Sequence, residues 1–170
     1  MNPLDLIREQ RRNAILQGLA VRPRKRCIMN LDKIRSIGIV THGLSDDDIS
    51  AIEQFSHHMT ARGTMVRKID LPMNADNMID KYGLPKSDFT VFFTSYQYDL
   101  LINATPTDDL FGLYVTLSTS SSLRVVHHDT TLPLSRTAEE AHDLILRGDG
   151  PWDLTHLLTQ LITFLSQIRK

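Results

Sequence analysis

YDLLINATPTDDLFGLYVTLSTSSSLRVV, residues Tyr98–Val126, decides the fold through the order of its parts. The triplet Leu100-Leu101-Ile102 has the continuity of a strand buried on both faces. It ends on Asn103 and breaks at Thr105-Pro106, because the residue before a proline is pushed out of the helical region. A helix is expected over about 107–120, and a second apolar burst follows at Leu123–Val126. Strand, helix, strand is a βαβ unit, with parallel strands and a right-handed crossover. Asn103 then lies on the carboxyl rim of the sheet, where open α/β sheets hold their ligands. Asp99 lies on the opposite rim, where it is expected to cap a turn.

The same grammar recurs on both sides. Ile34–Val40 (IRSIGIV) reads as the first strand, rich in β-branched residues. Ser45 is a good N-cap, and Asp46, Asp47 and Asp48 place negative charge at the positive end of a helix dipole. That helix is expected to end at Gly63, with Met65–Ile69 as the next strand. A short helix over Asn74–Lys81, strands at Phe89–Phe93 and Ala141–Leu146, and a Leu-rich terminal helix opening at Pro151 complete the reading. Residues 3–19 read as an amphipathic helix, and VRPRKRC (21–27) as a linker. The expected architecture is a three-layer α/β fold with a mainly parallel, Rossmann- or flavodoxin-like sheet of about five or six strands. Its domain spans 30–170, preceded by a basic helical arm and linker over 1–29.

Composition narrows the class. Hydrophobic content of 41% and charge of 23% are ordinary for a globular chain of 170 residues. The single Cys27 excludes an internal disulfide framework and a multi-cysteine metal cluster. The amino terminus carries charges where a secretory signal needs an apolar core, and no apolar run reaches the roughly 18 residues of a membrane span. A cytoplasmic location without a transmembrane segment is expected. The net charge of −1 hides an asymmetry: residues 1–35 hold nine Lys/Arg against three acids, and residues 36–170 hold ten against seventeen. The basic lead-in points to an anionic partner or to the acidic body itself.

The strand Asp99–Asn103, the Ser121-Ser122-Leu123-Arg124-Val125-Val126 stretch, the IRSIGIV start and the Leu-rich terminal helix together resemble an uncharacterised bacterial family of small α/β proteins. In that family a D-x-L-I-N strand is followed by small residues, a basic residue and V-G; here Val126 stands in place of the Gly. The resemblance covers most of 30–170 and implies an α/β fold with no known activity. The DLLIN and LRVV segments are also similar to the amino-terminal half of heptosyltransferase-type glycosyltransferases, which implies the same kind of fold.

The candidate rim residues are Thr41, His42, Asn103, His127 and His128, each at or just past a strand's carboxyl end. His42 with His127, His128 and Asp129 is the arrangement that a His/Asp metal site would use, but adjacent histidines diverge, and no metal or cofactor is expected. A hydrolase would need Ser45 or a serine of 118–122 with one of those histidines, and no G-x-S-x-G elbow is present. No phosphate-loop motif is present either. Arg22, Arg24, Lys25 and Arg26 are the candidate arm contacts. They lack interleaved aromatics, so nucleic acid is not expected. The leading expectation is a non-catalytic interaction or ligand-binding domain, a homo-oligomer through its terminal helices, with a small-molecule ligand as a further possible partner. One alternative is an enzyme acting on a polar or phosphorylated small molecule at the rim; another is anionic-surface binding by the arm.

Overall fold

In a computed structural model describing residues 2–71, 76–149 and 153–168, five strands form one sheet. They are β1 (Ser36–His42), β2 (Met65–Leu71), β3 (Gln97–Asn103), β4 (Ser120–Asp129) and β5 (Leu144–Gly148). All neighbours are parallel and the order is β2-β1-β3-β4-β5, the flavodoxin-like arrangement. The helices are α1 (Pro3–Ala20), α2 (Asp46–Ala61), α3 (Ser87–Thr94), α4 (Leu110–Ser118), α5 (Arg136–Ala141) and α6 (Leu154–Gln167).

Strand alternation distributes the core. Ile37, Ile39, Leu100, Ile102, Leu123 and Val125 point to one face, onto Ile52, Phe55 and Met59 of α2 and five leucines of α6. Truncating one of those leucines to Ala would cost about 2–5 kcal/mol. Val40, Ile69 and Leu101 point to the other face, under α3 and α4. The second half of α1 joins that layer: Leu16 and Ala20 are buried with Leu113 and Leu117 of α4 and with Ala138 and Ala141 of α5. Gln17 donates to Glu140 at 2.6 Å. The linker is tied down as well, because Arg24 reaches Asp143 at 2.5 Å and Cys27 N–H donates to Ser122 O at 3.0 Å.

The stretch FTVFF is helical, not a strand. A short continuous apolar run carries no period of its own, and here Phe89 and Phe93 meet edge to face at 5.3 Å, one helical turn apart, while Phe92 points outward. The last strand starts at Leu144, later than expected, because Arg136–Ala141 forms α5 behind the Ser135 N-cap. The expected helix over Asn74–Lys81 falls partly on 72–75, outside the described residues; its remainder is a 3-10 turn at Asp76–Met78. Pro151 also lies outside them. Asp99 plays the capping role expected of it: its carboxylate accepts the N–H groups of Arg35 at 2.7 Å and Ser36 at 3.1 Å, fixing the start of β1.

Candidate functional site

The order reverses between β1 and β3, so the loops after these two strands leave toward opposite layers and open the crevice where such folds bind ligands. The register sets Val40 opposite Asn103 and Asn103 opposite Val126, so the ends of β1, β3 and β4 emerge side by side. Gly43, with φ of 61°, turns the chain away directly after His42. Alternation then sorts the candidate residues. His42, Asn103 and His128 share the face of α4, while Thr41 and His127 share the face of α2 and α6. The neighbours His127 and His128 therefore cannot converge on one ligand.

The loop Ala104–Asp109, sequence ATPTDD, takes up the three residues on the α4 face one by one. Asn103 Oδ1 accepts Thr105 Oγ1–H at 2.7 Å and Thr105 N–H at 3.1 Å. Thr107 Oγ1 meets His128 Nδ1 at 3.2 Å. Asp109 Oδ2 accepts the Nδ1–H of His42 at 2.8 Å, and its other oxygen caps α4 by accepting Gly112 N–H at 2.6 Å. Alternate residues of this turn-containing loop thus stitch three neighbouring strand ends. The His42 ring leans on Phe111 at 5.8 Å between centroids. The stitch also explains Gly112: a Cβ there would sit 1.8 Å from Thr105 Oγ1.

Behind the loop the polar chain continues inward. His142 is buried against Asn103, whose Nδ2–H donates to its Nε2 at 3.3 Å. A carbonyl can only accept, so the 2.8 Å contact to Ala138 O makes Nδ1 the protonated nitrogen. Burial lowers the His142 pKa to about 4, which keeps the ring neutral and leaves Nε2 as an acceptor. This answers why the strand ends on asparagine. One side chain must donate to a neutral imidazole and accept from a threonine, and an amide does both. On the opposite face Thr41 donates to Asp70 at 2.9 Å. His127 packs over Gly148, where a Cβ would lie 2.9 Å from Nε2, and its own burial lowers its pKa.

The remaining candidates lie elsewhere. Arg24 and Arg26 both face Asp143, at 2.5 and 3.4 Å, on the amino rim, whereas Arg22 and Lys25 are exposed. Arg124 is buried beside them; its guanidinium donates to Leu117 O and Thr119 O, and desolvation lowers its pKa to about 10, still charged at neutrality. A hollow of about 520 Å³ between the starts of α2 and α6 is lined by Asp47, Asp48 and Asp153. Ser45 and Asp48 form a full capping box there: Ser45 Oγ accepts the Asp48 N–H and the Asp48 carboxylate accepts the Ser45 N–H. Among the described residues, no group of three or more His, Cys, Asp or Glu is placed to hold a metal ion, and no helix is long and apolar enough to cross a membrane.

Thr105, Thr107 and Asp109 complete the candidate site, and the sequence alone does not single them out. Their signal was present as hydroxyl, hydroxyl and carboxylate at alternate positions after a strand. Read as sequence alone, it marks only a break and a helix start. No curated protein and no solved structure matches the chain. A family model described as "Family of unknown function (DUF6913)" matches residues 8–168, which includes the second half of α1, the stitched loop and the terminal helix, and the chain belongs to that family.

Proposed function

We propose that this chain is a non-catalytic interaction domain that works through its outer surface, with its carboxyl rim closed for stability. The observation that supports this reading is the saturation of the rim. Asn103, Thr41 and Thr105 have no exposed surface, and each is hydrogen-bonded within the chain. A binding crevice ordinarily presents a few polar groups to its ligand; here those groups face each other.

A second reading, an enzyme acting on a polar or phosphorylated small molecule, is favoured by one feature. The His42–Asp109 pair sits at the strand-order reversal and keeps about a fifth of its surface, 21% and 19%. An imidazole oriented by a carboxylate has the geometry of a general base. A thermal-shift screen with small polar and phosphorylated compounds separates the two. The first reading expects no compound whose stabilisation depends on His42. A compound that stabilises the wild type, but neither His42→Ala nor Asp109→Asn, would replace it with the second.

Self-association belongs to the same proposal. The apolar stripe of α6 is used within the chain, so the terminal surface left for a second copy is the first half of α1, where Leu4, Leu6 and Ile7 are exposed. Light scattering of a Leu4→Ser/Ile7→Ser variant tests that. Anionic-surface binding by the arm would rest on Arg22 and Lys25, since Arg24 and Arg26 face Asp143.

A further inference from the structure

Among the described residues β2 is the outermost strand on its side of the sheet and pairs only with β1, so one row of its backbone groups faces outward. The other edge strand, β5, is better covered. Leu144, Ile145 and Leu146 are each partly buried, the two leucines against the core. On β2, by contrast, Met65 is 43% exposed and Arg67 and Lys68 are exposed. Being consecutive, these two cations flank the edge on opposite faces. Among the described residues neither is paired with a carboxylate. Next to the edge lies a cleft of about 320 Å³, lined by Arg67, Ile69, Phe92, Phe93, Tyr96 and Tyr98. Four aromatic side chains gather there in a chain with only 6% aromatic residues. Phe92 is 73% exposed, and the Arg67 guanidinium stacks on the Tyr96 ring at 3.8 Å.

We propose that this edge is a docking site for an extended acidic segment of another protein, added to β2 as a sixth strand. The proposal rests on the interaction-domain reading and supplies its partner's chemistry. Main-chain hydrogen bonds to the open edge would provide affinity, and alternate side chains specificity. Consecutive carboxylates on the added strand would meet Arg67 and Lys68 on the two faces, and a neighbouring aromatic side chain would lie against Phe92 and Tyr96. A second copy of this chain is the poorer occupant, since pairing β2 with itself about a two-fold axis sets like charges together.

The probe is a fluorescein-labelled peptide, Thr-Val-Glu-Asp-Phe-Val-Thr, with its Lys-Arg counterpart in place of Glu-Asp as control. Anisotropy titrations of the full chain at low salt should show binding of the acidic peptide and not of the basic one. R67E/K68E should weaken it by roughly tenfold or more and F92A by several-fold, with melting temperatures near wild type. Backbone amide shifts should concentrate on Met65–Ile69 and Phe92–Tyr96. The inference is overturned if the acidic peptide does not bind, if the basic one binds equally, if the variants bind like wild type, or if a single-stranded oligonucleotide competes as well as unlabelled peptide. Any of those results leaves the interaction-domain reading standing, because that reading fails only through a His42-dependent ligand.

Discussion

The carboxyl rim and the β2 edge treat their polar groups in opposite ways. At the rim, Asn103, His142, Thr105, Thr107, His128, Asp109 and His42 meet one another at 2.7–3.3 Å, and the loop Ala104–Asp109 covers the strand ends. At the β2 edge, Arg67 and Lys68 meet no carboxylate among the described residues, and Phe92 is 73% exposed. In a sheet of this order the rim is where ligands are ordinarily sought. The contrast teaches that topology marks a location, while the bonding state of the side chains decides whether that location is open.

The largest effect that can break the comparison is at its centre. Asn103→Ala leaves His142 Nε2 and the N–H and Oγ1 of Thr105 without their partner in a buried place. It should lower stability by about 3 kcal/mol, read as a fall in the urea midpoint. A loss under half of that would mean that the rim bonds exchange freely with water.

Acid should act on the same network with comparable size. The folded pKa of His142, about 4, lies below the ordinary 6.5, so above pH 6.5 the ring is neutral in both states and its contribution to stability is fully present. As pH falls toward 4 the unfolded chain binds a proton that the folded chain refuses, and roughly 3 kcal/mol should be lost across that window. His127, also lowered by burial, adds in the same direction. Unfolding curves at pH 7 and pH 4.5, repeated with His142→Gln, check this; an unchanged slope in the variant would move the effect elsewhere.

Smaller again is Asp109. Asp109→Ala removes the α4 cap and the partner of His42 together and should cost about 1–2 kcal/mol. Asp109→Asn retains a good cap and should recover most of that loss. Recovery of none would assign the stabilisation to the charge beside His42. The smallest effect is expected at the open edge, where Phe92→Ser should change stability by no more than about 0.5 kcal/mol. A large loss there would show that Phe92 belongs to the core.

The fold was legible because its signals are local. Strand runs such as IRSIGIV and DLLIN, the Ser45–Asp48 capping box and the leucine stripe of α6 each name their element within a few residues. FTVFF was misread because helix and buried strand share one composition when a run is short, and the contact of Phe89 with Phe93 that settles it is a matter of packing. The rim was half legible. Asn103, His42 and His128 were identified from their places at strand ends, but their partners come from long range: Asp109 is 67 positions from His42, and His142 is 39 from Asn103. The Asn103–Thr105 bond is the local one, two positions apart, and it is the alternation of hydroxyl, hydroxyl and carboxylate after the strand that carries its signal.

Amide hydrogen exchange at Thr105 tests the closed rim most directly, because its N–H donates to Asn103 Oδ1 inside the stitched loop. A sealed rim gives this loop amide an opening free energy close to that of the central amides of β3. Exchange as fast as that of an exposed loop would show that the rim opens at little cost, and the crevice beside His42 would again be a place to bind.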